Sequence, residues 1–162
     1  DELLSLIEKE KKILKTSVPI VVKISPDIED ENINKISDLL VKYKVKAVII
    51  SNTTDKNRHN LSNINKLEKG GLSGKPLEKK SNELINKFYK ILKNEVKIIG
   101  VGGVDSGQSA YQKIINGASL VQLYTGMIYQ GPNIVSKINE ELINILDKEG
   151  VQNISDIVGS KN

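Results

Sequence analysis

The stretch AVIISNTT, from Ala47 to Thr54, decides which fold class this chain is expected to adopt. Its first four residues are apolar, as in a buried strand, and its last four are polar. A second stretch, IIGVGG from Ile98 to Gly103, changes in the same way from apolar residues to glycines. Buried strands that end in polar or glycine residues are typical of the ligand-binding edge of an α/β enzyme, because glycines let a phosphate approach backbone N–H groups.

Strand patterns alternate with helical patterns along the rest of the chain. Continuous apolar runs predict strands at Val18–Ile24, Val45–Ile50, Val96–Val101 and Ser119–Tyr124. Apolar residues at helical spacing predict helices at Asp1–Lys15, Asp30–Tyr43, Ser81–Leu92, Ser106–Asn116 and Pro132–Leu146. Four buried strands that alternate with helices indicate an α/β fold with a parallel sheet, either doubly wound or part of a barrel.

The position of the glycine-rich segments favours the barrel, since a (β/α)8 TIM barrel typically binds phosphate after strands 7 and 8. A complete barrel needs about 250 residues, whereas this chain has 162. We therefore expect residues 1–162 to form the C-terminal half of one barrel domain, with strands 5 to 8. The N-terminal half, outside this chain, is then an expected partner, because a half-barrel has open sheet edges and an unshielded apolar face.

Composition excludes several functional classes. The chain has no cysteine, so these residues form no disulfide, cysteine-ligated metal site or catalytic thiol, and redox chemistry needs a bound organic cofactor. The net charge of +4 comes from lysines that often stand beside acids, and aromatic residues are scarce, so nucleic acid is not an expected partner. No apolar run is long enough to span a membrane and no signal peptide is present, so this segment is expected to be soluble.

No metal is expected, because the zinc signature H-E-x-x-H is absent. The single histidine, His59, lies in a polar loop and receives no catalytic role. The asparagine-rich segment 55–69 is interpreted as a long loop above the strand ends. Both a mobile cover and a plain solvated insertion fit it.

Polar residues within or after two of the predicted strands are candidates for ligand contacts. Lys23 lies in the apolar run VVKI, so its ammonium needs a counter-charge, a ligand or solvent. Ser51, Asn52 and Thr53 extend a buried strand with three polar side chains, and neighbouring side chains of a strand point to opposite sides. The triplet is therefore placed to touch two ligands. The structural alternatives are a lysine paired with a buried carboxylate and a strand end with hydroxyl caps.

Glycines at successive strand ends form a second candidate set. They are Gly70, Gly71, Gly74, Gly102 and Gly103. As a set they predict a site for a phosphate or a dinucleotide-type tail, with tight turns as the alternative. Tyr124 and Thr125, predicted at the end of the last strand, are expected to complete that site through backbone N–H groups and a hydroxyl.

Five segments, taken in order, closely resemble dihydroorotate dehydrogenase, and more narrowly its quinone-dependent, membrane-associated class. They are VKISPD at 22–27, SNTT at 51–54, GGLSGKPL at 70–77, GVGG at 100–103 and GASLVQLYT at 117–125. The match covers only the C-terminal half of that family. It implies an FMN-containing barrel that oxidises dihydroorotate to orotate in pyrimidine synthesis and passes electrons to a quinone. It also implies a peripheral membrane protein, at the cytoplasmic side of a bacterial inner membrane or at the mitochondrial inner membrane.

The resemblance implies roles for individual residues as well. Lys23 matches a lysine near the flavin pyrimidine ring, where a positive charge stabilises the anionic reduced flavin. Ser51 matches a flavin-contacting hydroxyl residue that is often threonine in the family. Asn52 and Thr53 match residues that hydrogen-bond and orient dihydroorotate. The flavin- and phosphate-contacting set is matched by Gly74, Gly103, Tyr124 and Thr125, with Ser73 and Gly102 as close neighbours.

The family's catalytic base in the quinone-dependent class, a serine, lies in the half of the barrel that precedes this chain. We therefore expect no catalytic residue here, and no activity from this chain alone. Two alternatives stay open: another FMN- or phosphate-binding barrel oxidoreductase, and a non-catalytic half-barrel that binds phosphate.

Overall fold

The computed structural model describes residues 1–56, 58–59 and 61–162. Its strands are β1 (Val21–Ile24), β2 (Ala47–Ile50), β3 (Lys97–Val101) and β4 (Leu120–Gln122). Its α-helices are α1 (Glu2–Ile13), α2 (Glu31–Lys42), α3 (Glu78–Leu92), α4 (Gly107–Ile115), α5 (Thr125–Gln130) and α6 (Ile134–Glu149). Short 3-10 helices occupy Ile64–Leu67, Lys75–Leu77 and Ile154–Ile157. The predicted loop 55–69 thus contains a 3-10 turn, and its residues 57 and 60 lie outside the described residues.

The four strands form one parallel sheet in the order β1-β2-β3-β4. The predicted α/β fold, with parallel strands that alternate with helices, is confirmed. Because all strands run in one direction, their carboxyl ends meet at the same edge of the sheet. Every segment that follows a strand therefore begins at that edge.

One face of the sheet is covered by α2 and α3. Val48, Ile50 and Ile98 from the sheet are buried against α3, whose amphipathic face contributes Ile85 and Phe88. Burying a large aliphatic or aromatic side chain stabilises a fold by about 1.5–3 kcal/mol. This layer fixes the central strands, and Ser81 of α3 adds a hydrogen bond of 2.6 Å from its hydroxyl to the carbonyl of Val101.

The other face of the sheet is open to solvent at both edge strands. Lys23, Ile49, Ile99 and Leu120 stand in one lateral row, since each is the register partner of the next. Ile49 and Ile99 are half-buried, whereas Leu120 is 63% exposed. The row thus carries three apolar side chains beside Lys23 on the face that lies away from α2 and α3.

A second apolar cluster joins α4 to α6. Ala110 and Ile114 of α4 are buried against Ile138 and Leu142 of α6. Helix α4 begins with a capping box, in which the Ser106 hydroxyl accepts a hydrogen bond from the backbone N–H of Ser109 at 3.2 Å and the reverse bond is also made. The loop after β3 is therefore anchored to a well-defined helix start.

The predicted end of the last strand is wrong. Strand β4 stops at Gln122, and Thr125 is the first residue of α5, a helix that apolar spacing did not predict. A six-residue helix is too short to show a helical period, and the apolar run before it continues past the last ladder pair, Val101 with Gln122. Tyr124 and Thr125 therefore reach the sheet edge as the start of a helix.

Candidate functional site

A cavity of about 700 Å³ lies at the carboxyl edge of the sheet. Residues that follow all of β2, β3 and β4 line it, together with Lys23 of β1 and the segment after the long loop. The structure brings all ten predicted site residues to this one cavity: Lys23, Ser51, Asn52, Thr53, Ser73, Gly74, Gly102, Gly103, Tyr124 and Thr125. Their individual roles stay predictions, but their convergence is a property of the fold.

The end of β2 sits at the centre of this edge and is bonded to both neighbouring strands. The backbone N–H of Ser51 donates to the carbonyl of Val101 at 3.3 Å, and that of Asn52 donates to the carbonyl of Ile24 at 2.8 Å. Ser51 is buried, whereas Asn52 and Thr53 are exposed and line the cavity. The main chain is thus held on both sides while the Asn52 and Thr53 side chains face the cavity, with Asn52 Oδ1 accepting a hydrogen bond from the Thr53 N–H at 2.9 Å.

The segment after the long loop returns against the end of β2. Gly71 lies so close to Thr53 that a Cβ on Gly71 would overlap the Thr53 side chain, so only glycine fits here without a shift. Two residues later, the Ser73 and Thr125 hydroxyls share a hydrogen bond of 2.9 Å. The returning segment therefore connects the end of β2 to the start of α5 across the cavity wall.

The glycine pair after β3 forms the third side of the cavity and is buried. Gly103 has φ of +74°, and a Cβ there would lie 2.9 Å from Glu78 Cα. Both the backbone conformation and the close approach to α3 require glycine. The result is a bare stretch of backbone facing the cavity, which is the cradle that a phosphate group needs.

Two lysines give the cavity positive charge. The ion pairs found among residues 1–56, 58–59 and 61–162 do not include Lys23. Lys75 instead pairs with Glu78 at 2.7 Å and with Asp105 at 3.5 Å, and the hydrogen bond to Glu78 is the main reason that the pKa of Lys75 is raised. Of the two, Lys23 is the cation left to interact with an anionic or electron-rich ligand.

A fully buried lysine lies behind the cavity, between α3 and α4. Lys113 is 0% exposed, and its ammonium donates to Asn82 Oδ1 at 2.7 Å and to the Glu78 carbonyl at 3.4 Å. Burial lowers its pKa to about 8, against the opposing attraction of the Glu78 charge. This lysine supports α3 at the point where Gly103 packs on it.

Several cavity residues were missed by sequence reasoning. The most polar of them are Lys75, Asp105 and Gln130, and Tyr129 adds an exposed aromatic ring. Lys75 stands inside the glycine-rich segment GGLSGKP, so its position carried a signal; Tyr129 and Gln130 belong to the helix α5 that was not predicted. His59 is exposed, as expected, and does not line the cavity.

Metal-binding clusters and membrane-spanning helices are both absent from the described part of the chain. Its His, Asp and Glu residues form no cluster of three or more that could hold a metal ion. Among the helices of the same residues, none combines the length and apolar character needed to cross a membrane.

Comparison with known proteins identifies the chain's relatives. The family model described as dihydroorotate dehydrogenase matches residues 1–146. The chain belongs to the dihydroorotate dehydrogenase family. The resemblance read from its five segments is thereby confirmed.

Two of the chain's relatives carry the quinone-dependent form of this family's name. "Dihydroorotate dehydrogenase (quinone)" of Trichodesmium erythraeum is 42% identical over 172 residues, which cover 100% of this chain and 45% of the relative. The protein of the same name from Buchnera aphidicola is 49% identical over 125 residues, which cover 77% of this chain and 37% of the relative. The chain therefore spans less than half the length of these dihydroorotate dehydrogenases.

Solved structures give the same result for the fold. The crystal structure of Eimeria tenella DHODH in complex with ferulenol matches with a TM-score of 0.85 and 38% identity, over 88% of this chain and 38% of that one. The ligand-free form from the same organism matches with a TM-score of 0.84. The described fold thus corresponds to part of a dihydroorotate dehydrogenase fold.

Proposed function

We propose that this chain is the FMN- and substrate-binding part of an enzyme that oxidises dihydroorotate to orotate in pyrimidine synthesis and passes the electrons to a quinone. The observation that carries the proposal is the convergence of the ten predicted site residues, from four strands and their following segments, on one cavity. Its volume of about 700 Å³ lies within the range of 300–1,000 Å³ that is usual for cofactor and ligand sites. Membership of the family supplies the reaction class.

The architecture we propose is strands 5 to 8 of a (β/α)8 barrel, with residues 1–162 as part of a single catalytic domain. The half-open sheet supports it, since Leu120 on one edge strand and Val21 on the other are exposed on the face that a barrel would enclose. In a complete barrel this face is filled by side chains from all eight strands. The preceding half is the partner we propose for this face.

The residues of this chain fit a flavin mononucleotide. The bare backbone at Gly102 and Gly103, with the Ser73 and Thr125 hydroxyls nearby, would hold the phosphate. Lys23 would bring a positive charge to the ring, and Ser51 a hydroxyl. When bound, the flavin would supply the redox chemistry, namely acceptance of a hydride and onward transfer of two electrons.

The substrate roles fall to Asn52 and Thr53. Both side chains are exposed to the cavity, and the main chain that bears Asn52 is bonded to β1. They would hydrogen-bond dihydroorotate and hold it in one orientation, a contribution made through placement rather than proton transfer. The proton would be taken by a serine in the preceding half, so the chain by itself is proposed to be inactive. The quinone and a peripheral attachment to the membrane would also depend on that half.

The test is an anaerobic visible spectrum of the full-length polypeptide that contains this chain, before and after dihydroorotate is added. We expect a flavin band near ~450 nm that bleaches on addition of the substrate. A flavin band that stays oxidised would contradict the substrate and favour another flavin-dependent barrel oxidoreductase. Absence of flavin would contradict the enzyme and leave a phosphate-binding half-barrel.

A further inference from the structure

A carboxylate outside the cavity connects three of the segments that build it. Asp27, in the loop after β1, accepts a hydrogen bond from the Thr54 hydroxyl at 2.6 Å and one from the backbone N–H of Asp55 at 3.1 Å. It also forms an ion pair with Lys80 of α3. Asp27 does not line the cavity. Partial burial favours the neutral acid, but the hydrogen bonds from Lys80 and Thr54 outweigh it and lower the pKa of Asp27.

Thr54 links Asp27 to the segment that follows the long loop. It is 4% exposed, and its backbone pairs in both directions with Leu72: the N–H of Thr54 donates at 3.1 Å and the N–H of Leu72 donates back at 2.8 Å. This antiparallel bridge closes the base of the long loop. The two ends of the loop therefore meet at a residue whose side chain is held by Asp27.

The bridge is flanked on both sides by residues of the cavity. Thr53 precedes Thr54 and contacts Gly71, which precedes Leu72. Ser73 follows Leu72 and shares its hydrogen bond with Thr125. Because Thr53 is the residue directly before Thr54, a displacement of the bridge would be passed to the Thr53 side chain.

We propose that Asp27 is a positioning residue for the substrate pair Asn52 and Thr53, acting through Thr54 and the Thr54–Leu72 bridge. This inference rests on the proposed function, since it concerns the same site. Replacing the carboxylate with an amide keeps one acceptor oxygen but turns the other into a donor, so the Thr54 hydroxyl or the Asp55 N–H loses its acceptor and Lys80 loses its counter-charge. The bridge then loses its fixed point, and the two substrate-facing side chains lose their placement relative to the bound substrate.

The chain offers a matched control for this carboxylate. Asp30, three residues further along the same connection, forms an ion pair at 2.6 Å with Lys87, which is two turns further along the same helix α3. This pair is on the surface, with 74% of the Asp30 side chain exposed. Asp30 has the same charge and the same kind of partner, but it has no hydrogen bond to Thr54 or Asp55 among the described residues.

The experiment compares Asp27→Asn with Asp30→Asn in the full-length polypeptide. We expect D27N to retain flavin while kcat/KM for dihydroorotate falls by about tenfold to a hundredfold, as for a misplacement of up to about 1 Å. Orotate affinity, followed through the flavin spectrum, should fall in D27N as well. D30N should match the wild type in both. Equal values for D27N and D30N would overturn the proposal.

A second measurement does not depend on flavin or on turnover. Deuterium exchange at the backbone amides of Thr54, Asp55 and Leu72 should speed up by about tenfold or more in D27N and stay unchanged in D30N. Unchanged exchange in D27N overturns the proposal even if activity is lost. Exchange needs no substrate, so it tests the positioning role even if the wild-type protein does not respond to dihydroorotate. A wild-type protein without that response would refute the proposed function, which is a separate outcome.

A milder variant covers the case in which D27N does not fold. Thr54→Val removes the hydroxyl that donates to Asp27 and accepts from the Lys56 N–H, and it keeps the ion pair of Asp27 with Lys80. We expect the same direction of change in orotate affinity and in exchange at Leu72. A T54V protein that equals the wild type in both would overturn the proposal.

Discussion

The buried ammonium of Lys113 should make the stability of this protein depend on pH in the alkaline range. Burial lowers the pKa of this lysine from 10.5 to about 8. The folded state therefore binds the proton less tightly than the unfolded state, by about 3 kcal/mol. Between these two pKa values the unfolded chain carries more protons, so the free energy of unfolding rises with pH and falls again as pH drops through 8. Integrated from pH 7 to pH 10, the rise is about 2.5 kcal/mol.

The perturbation is Lys113→Met, which keeps an unbranched chain of similar length and removes the titrating group. At neutral pH the gain from removing a buried charge is opposed by the loss of the donor to Asn82, which costs about 1–3 kcal/mol. The difference in the free energy of unfolding between the wild type and K113M at pH 7 is therefore a poor test of the buried charge. The change in the free energy of unfolding between pH 7 and pH 10 is a good test, because the wild type contains the buried ammonium and K113M does not.

The assay is urea denaturation of the full-length polypeptide at pH 7, 8, 9 and 10, with the wild type, K113M and the control Lys90→Met. Lys90 is an exposed lysine of α3, so its removal should leave the pH dependence of the wild type unchanged. We expect the wild type to gain about 2.5 kcal/mol relative to K113M over this range. Parallel pH profiles for the wild type and K113M would refute the reasoning.

Two predictions concern the cavity itself. Gly103→Ala places a Cβ against Glu78 in a backbone conformation that alanine avoids, so the purified full-length protein should lose most of its flavin, measured as the ratio of visible to ultraviolet absorbance; full flavin content would contradict the cradle. Lys23→Met removes the unpaired cation of the cavity and should slow flavin reduction by dihydroorotate by about a hundredfold in stopped flow, with orotate affinity nearly unchanged; a wild-type rate would contradict its electrostatic role.

The sheet was predictable because its signal is local. Each central strand is a continuous apolar run, and each is followed by polar or glycine residues, so strand direction and the ligand-facing edge could both be read from residues such as Ile50 and Ser51. Parallel strands then bring these ends together without further information. For this reason ten of the residues that line the cavity could be assigned to one edge of the sheet from the sequence alone.

The residues that support the cavity could not be predicted in this way. Asp27 and Lys80 are 53 residues apart, and the sequence shows each only as a charge near a turn or on a helix surface. Lys113 has the pattern of a solvated helix position, yet it is buried because Gly100 leaves room, with the Lys113 side chain 3.1 Å from where a Cβ of Gly100 would stand. Such space is created by tertiary packing alone. Helix α5 was missed for a different reason, since six residues hold no measurable period.

The placement of Lys23 on an edge strand has a consequence for assembly. Strand β1 pairs with β2 on one side, and its other side is where we propose that the preceding half of the barrel joins. A ligand that contacts both Lys23 and residues of the preceding half, such as the proposed serine, would lie across that seam. By linkage, a ligand that binds only the joined form stabilises the joint, by about 2.7 kcal/mol at a hundred times its Kd. A bound cofactor would then stabilise the association of the two halves of one domain. Its loss would weaken the contact between the halves before it destabilised either half.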